Sequence, residues 1–176
     1  EMIEVGAGGG SIASIDSLGL LKVGPRSAGS EPGPACYGLG GKSPAVTDAD
    51  VLIGILDPDN FLGGEMQLDK NAAETAIQPL ADQLNTSVQK AARGIFQVVN
   101  ESMAAAARAH ATDRGIDYRG IPVLAFGGAG PVHACHVAEL LESTRVIYPP
   151  LASVLSAFGT LVTPLRFDLA RGTRGG

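Results

Sequence analysis

Glycine supplies 24 of the 176 residues, roughly twice its average usage, and it comes in clusters rather than at a fixed period. Such clusters exclude a collagen-like repeat and call for tight turns where backbone must approach another backbone or a ligand. Two stand out: Gly6-Ala7-Gly8-Gly9-Gly10-Ser11 and Gly127-Gly128-Ala129-Gly130. The second follows Ile121-Pro122-Val123-Leu124-Ala125-Phe126, an almost wholly apolar run that suits a strand covered on both faces in an α/β sheet. It precedes Pro131, whose fixed φ and missing N–H are best tolerated at a helix start. A strand that ends in a glycine turn and feeds a helix points backbone N–H groups into open space beside the positive end of the helix dipole, a place that favours anions or ring edges. The 127–130 loop is not GxGxxG and has no following Lys-Ser/Thr, so neither a dinucleotide fingerprint nor a P-loop is supported. A tight turn without any ligand accounts for either cluster as well as a binding site does.

Periodicity supplies the elements around these loops. Ser11-Ile12-Ala13 and Leu20-Leu21-Lys22-Val23 read as short strands in a Gly/Pro-rich stretch, and Thr47 with Asp50 as a capping box opening a short helix. Apolar residues from Leu68 to Leu84 recur at helical spacing, with Pro79 predicting a kink or break near Gln78. Thr86 with Gln89 reads as a second capping box, before a stripe of Val88, Ala91, Ala92, Ile95, Phe96, Val99, Met103, Ala106 and Ala107 that persists until Gly115. After the 127–130 loop come a helix through Val137, Ala138, Leu140 and Leu141, a strand at Arg145-Val146-Ile147-Tyr148, and a helix from Ser153 to Val162.

Net charge is −5 with no basic run, which argues against nucleic acid, and no apolar stretch reaches the ~18 residues of a membrane span. A cytoplasmic protein is the expectation. Two cysteines outside any CxxC pair imply free thiols. Glu1 opens inside an apolar–glycine run and Arg174-Gly175-Gly176 closes the chain, so both ends are expected to be cuts within a longer protein.

Taken in order, Gly6-Ala7-Gly8-Gly9-Gly10-Ser11-Ile12-Ala13, Val23-Gly24-Pro25 with Ser27-Ala28-Gly29, Pro32-Gly33-Pro34-Ala35-Cys36-Tyr37-Gly38, Val46-Thr47-Asp48-Ala49, Phe61-Leu62-Gly63-Gly64 and Phe126-Gly127-Gly128-Ala129-Gly130-Pro131 with His133-Ala134 span nearly the whole chain. This series resembles the hydantoinase A, 5-oxoprolinase and acetone carboxylase β-subunit family. Departures are Ala45, Asp50 and Tyr118, where that family commonly has Thr, Asn and Pro. The resemblance implies an α/β fold: an actin-like, ribonuclease H-like ATPase lobe, with long helices packed on a small mixed sheet. It implies one incomplete domain in three stretches, a strand-and-loop part at 1–66, a helical segment at 67–115 and an adenosine-side α/β segment at 116–176.

It further implies ATP as cofactor, with Gly127, Gly128, Ala129 and Gly130 against the adenosine and Gly8, Gly9, Gly10, Ser11, His133 and Asp48 as further binding candidates. The phosphate loops and the groups gripping Mg2+ belong upstream of Glu1, so no catalytic residue is assigned and the segment alone is expected to be inactive. The parent subunit is expected to phosphorylate a lactam, imide or ketone carbonyl, working with a hydantoinase B-like partner in an oligomer. A non-catalytic actin-like nucleotide-binding or reactivating module is the alternative, and a purely structural assembly domain the third reading.

The residues themselves leave other options. His133 and His136 could share a metal, but no third ligand is suggested, so His133 is better read as lining the glycine loop and no metal site is expected. Asp48 and Asp50 could touch a ligand, although a helix cap is preferred. Cys36 reads as a packed thiol, His110 as a dipole complement, and Asp113, Arg114, Asp117 and Arg119 as a solvated salt-bridge group.

Overall fold

The computed structural model describes residues 4–165 and residue 167; the expectations about Glu1 and Arg174–Gly176 fall outside them. The chain opens with a hairpin of β1 (Ser11–Ile15) and β2 (Leu21–Ser27), antiparallel with Ala13 opposite Val23 and Ile15 opposite Leu21. Asp16 closes its turn by accepting from the N–H groups of Leu18 and Leu20 at 2.9 and 3.0 Å. The alternation places Ser11 and Ala13 on the buried side.

A seven-residue helix, α1 (Val46–Leu52), then passes through the centre, with Val46 to Val51 all buried. Two longer helices cover it, α2 (Lys70–Gln83) and α3 (Val88–Thr112). Their inward stripes, Ile77, Leu80 and Ala81 from α2 and Ala91, Ala92, Ile95 and Val99 from α3, meet Ala13, Val46 and Ala49 in one apolar cluster. The many alanines let the three helices approach closely, and the stripe read from the sequence is the one that packs.

Beyond α3 the chain forms a parallel β–α–β unit: β3 (Val123–Leu124), α4 (Gly130–Leu140) and β4 (Val146–Ile147), followed by α5 (Leu155–Val162). Arg108 of α3 donates to the Leu140 carbonyl at 3.1 Å, placing a cation at the C-terminal end of α4. The expected α/β class with long helices and small sheets is present, its strands divided between two two-stranded sheets among the described residues.

Four local expectations need correction. The first helix begins at Val46 with Ala45 at the cap position, so Thr47 lies inside it and its hydroxyl donates to the Gly9 carbonyl at 2.9 Å. The cap of α3 is Ser87, which accepts from Lys90 N–H at 3.3 Å, and not Thr86. Pro79 does not break α2: it stands on the exposed side, where the carbonyl it leaves unbonded can meet water, and Gln78 bridges to Asp82 at 2.6 Å. The run at 121–126 is not covered on both faces, since Leu124 and Phe126 are 51% and 44% exposed. No described helix is long and apolar enough to cross a membrane.

Candidate functional site

A cavity of about 590 Å³ opens between the α1 region and the 127–153 segment, within the roughly 300–1,000 Å³ range of small-molecule sites. One wall carries Gly9, Gly10, Gly29, Thr47 and Asp50; the facing wall carries Gly127, Gly128, Ala129, Pro131, Val132, Ala152 and Ser153; Tyr37, Phe61 and Leu62 close the side.

The two glycine loops occupy these walls for different reasons. A Cβ on Gly9 would stand 2.7 Å from Thr47 Oγ1, which is held by its bond to the Gly9 carbonyl, and one on Gly10 would stand 2.7 Å from Ser27 Oγ, so packing within the protein bears on both glycines, more firmly on Gly9. At Gly127, Gly128 and Gly130 an added Cβ meets nothing within 4 Å. Among the described residues nothing fills the space beside these glycines, and the absent side chains leave room for a ligand. Gly127 has φ of +87°, and its N–H is donated to the Ala152 carbonyl at 2.8 Å, which ties the turn to the segment after β4. The open face of the cradle therefore lies at Gly128 and Ala129.

The remaining sequence candidates divide. Gly9 and Gly10 line the cavity, whereas Gly8 and Ser11 brace the loop behind it: Ser11 Oγ accepts from Gly8 N–H at 3.0 Å. Gly130 starts α4 and is not part of the lining. Asp48 is fully buried and does not face the cavity; it accepts from the N–H groups of Ala35, Cys36 and Ala45 at 3.2, 2.7 and 2.8 Å. Those amides satisfy a carboxylate in a helix surrounded by apolar groups, and they pin the 35–37 turn to the start of α1. The cap reading of Asp48 holds, with the Ala45 amide as its helix-start donor. Burial pushes the Cys36 thiol well above its ordinary range, which fits a packed and unreactive sulfur.

His133 does not contact the cavity directly. It sits in the first turn of α4, 1% exposed, stacked on Phe96 with ring centroids 5.2 Å apart, and its Nε2 lies 3.6 Å from Asp50 Oδ2. His136 lies against the other reach of the same ring at 5.5 Å. Asp50 itself is 2% exposed and reaches the cavity wall, with no hydrogen-bond partner for Oδ1. Burial, and then the charge of Asp48, push its carboxyl up to about 7; burial followed by His136 pushes His133 down to about 4. Both shifts oppose ionisation, so below about pH 7 and above about pH 4 the 3.6 Å approach is an acid facing a neutral imidazole rather than an ion pair.

The Asp50–His133 pairing is the feature the sequence reading missed, because it joins residues from two distant elements. Its signal was Asp50 itself, an acidic residue among Ala45, Val46, Ala49 and Val51 that an apolar environment would have to accommodate.

Comparison with known proteins agrees with this architecture. A sequence model described as hydantoinase/oxoprolinase matches residues 1–169. The caprolactamase subunit alpha of Pseudomonas jessenii is 46% identical over 171 residues, covering 95% of this chain and 25% of that protein. The solved ATP-dependent caprolactamase from that organism superposes with a TM-score of 0.82 at 45% identity, over 93% of this chain and 24% of the other. A nucleotide-free acetone carboxylase structure gives 0.81 at 35% identity, over 88% and 22%. The chain spans between 13% and 25% of the length of the curated relatives it matches.

Proposed function

The chain belongs to the hydantoinase/oxoprolinase family, and from that premise we propose that it forms the nucleoside side of the ATP site in a larger cytoplasmic subunit. That subunit uses ATP to activate the carbonyl of a lactam, a cyclic imide or a ketone, and a hydantoinase B-like partner completes hydrolysis or carboxylation within an oligomer. The observation that carries this reading is the open turn at Gly127-Gly128: Gly127 is required by its φ of +87°, but nothing in backbone or neighbours demands a glycine at 128, and the turn faces a cavity of about 590 Å³. Relatives whose printed names include ATP-dependent caprolactamase and ATP-dependent acetone carboxylation support it.

The residues fit a nucleoside better than a polyphosphate. Pro131, Val132, Phe61 and Leu62 offer apolar surface to a ring, and no described residue lining the cavity is a lysine or arginine. Mg2+ and the phosphates are then held by parts of the protein other than this segment. When bound, ATP supplies the phosphoryl group that turns a poor carbonyl electrophile into one with a good leaving group. This chain's task is positioning: Gly127 holds the turn through Ala152, and Gly128 with Ala129 admits the nucleoside edge.

The test is ATP hydrolysis by the complete protein with its partner, with a lactam, a hydantoin and a ketone each added in turn. Stimulation by one of them is expected. ATP binding without stimulation by any compound would favour a nucleotide-binding module that does no chemistry.

A further inference from the structure

Among the described residues lining the cavity, Asp50 is the one acidic group, and its Oδ1 is left without a donor. It is 2% exposed, its Oδ1 has no hydrogen-bond partner, and its Oδ2 lies 3.6 Å from Nε2 of His133, whose two ring nitrogens are also buried and unbonded. A buried carboxyl with nothing to bond is costly to retain. Asp48, two residues earlier on the same helix, shows that α1 can satisfy such a group completely. The position of Asp50 in the wall supplies the difference, because the cavity's occupant can provide the missing partner.

Resting on the nucleotide reading above, we infer that Asp50, a residue of the cavity lining, is a ligand-contacting residue: in its acid form it donates a hydrogen bond to a ring nitrogen or sugar oxygen of the nucleoside. His133, whose Nε2 lies 3.6 Å from Oδ2, is its positioning residue. A carboxylic acid has one O–H donor and spare acceptor capacity, which matches a ligand acceptor on one side and an imidazole N–H on the other.

The titratable groups around Asp50 all favour this form. Asp48 on its own helix adds negative charge, the Cys36 thiol and the Tyr37 phenol on the 35–37 turn stay neutral, and His133 with His136 behind it on α4 meets it as an uncharged ring. Phe96 from α3 presents only its ring. Ionisation would leave an acceptor-only group with no cation to face it, in a cavity that a ligand dries further. Affinity should therefore fall as pH rises past 7.

The experiment is calorimetric titration of the complete protein with adenosine, whose charge does not change between pH 6 and 8.5. For the unaltered protein, affinity is expected to fall on the order of tenfold or more across that range, following the fraction of Asp50 in the acid form. Asp50→Asn keeps a donor and cannot ionise, so its affinity should be level with pH and exceed that of the unaltered protein at pH 8.5. His133→Asn leaves Asp50 in place and should move the midpoint of the profile, which a merely structural histidine would not do; this arm also stands if Asp50→Asn folds poorly. Identical profiles for the unaltered protein and Asp50→Asn would overturn the inference. Adenosine binding abolished by Gly128→Val but untouched by Asp50→Ala would sink the role of Asp50 while leaving the nucleotide cleft intact. Failure of the unaltered protein to bind either adenosine or ATP would remove both.

Discussion

On the α1 side of the cavity, a Cβ on Gly9 or Gly10 would stand 2.7 Å from a neighbouring hydroxyl, and Asp48 accepts three backbone hydrogen bonds. On the 127–153 side, Gly127 and Gly128 have open space beside them, the paired strands are two residues long, and Leu151 and Val154 are more than half exposed. The same residue type thus does two jobs. One wall is a packed scaffold whose glycines serve the protein, and the other is a lightly supported edge whose glycines leave space. Asp50 breaks the pattern, being a scaffold residue of the cavity wall with an unmet bond.

The sharpest way to break the comparison is to unmake the scaffold at Asp48. Asp48→Ala strands the amides of Ala35, Cys36 and Ala45, and at about 1–3 kcal/mol for each unsatisfied buried group the loss should be at least about 3 kcal/mol. Denaturant unfolding measures it. A loss below about 1 kcal/mol would mean that water reaches those amides and that this wall is no tighter than its neighbour.

The next effect comes from the exception. Because the folded-state pKa of Asp50 lies near 7 against an ordinary 3.8, its ionisation destabilises the fold progressively as pH rises from about 4 to 7. His133 acts oppositely: held down to about 4 against 6.5, it resists the proton that the unfolded chain accepts, and stability is lost as pH falls from about 6.5 to 4. The two offset each other over most of that range in the intact protein. Separating them should expose both slopes. Relative to the parent, Asp50→Asn should gain stability as pH rises from 4 to 7, by roughly 2–4 kcal/mol, and His133→Asn should gain as pH falls from 6.5 to 4. Unfolding curves at several pH values decide it, and parallel behaviour of the two variants would show that these groups do not titrate as buried acid and base.

A smaller contrast separates the loops directly. Gly9→Ala forces a methyl against Thr47 Oγ1 and should cost about 1–3 kcal/mol, whereas Gly128→Ala should change stability by less than about 0.5 kcal/mol while weakening nucleotide binding. Thermal midpoints and a binding titration on the same two proteins give both answers. Equal losses of stability would end the claim that the two clusters differ.

How much of this could be read in advance follows from the range of the interactions. The 25-residue helix α3 was legible because its apolar stripe repeats over many turns, and the strand–glycine–Pro131–helix passage was legible because each piece has its own backbone chemistry. Caps were less so. Thr86 and Ser87 are adjacent and chemically equivalent, and α1 starts at an alanine whose amide is satisfied by Asp48 from inside the helix. The purpose of each glycine cluster was not legible at all, since it depends on whether Thr47 or empty space lies beside the Cα. Asp50 and His133 meet only because α1 and α4 converge, and nothing local to either residue records that meeting.

The smallest effect is expected where the ion pair looks best. Arg119 Nη2 lies 2.8 Å from Asp117 Oδ2, and the guanidinium holds that carboxyl down to about 2, a displacement in the opposite direction from that of Asp50. Both side chains are about 60% exposed, so water and salt screen the attraction. The partners are also two residues apart, so the unfolded chain keeps them close and much of the interaction persists after unfolding. A pKa displacement affects folding only through its difference between the two states, and here that difference is small. Arg119→Ala should leave the unfolding midpoint unchanged within error at both low and high salt. A clear loss at low salt that vanishes at high salt would show that this loop is held in the folded protein in a way its exposure does not suggest.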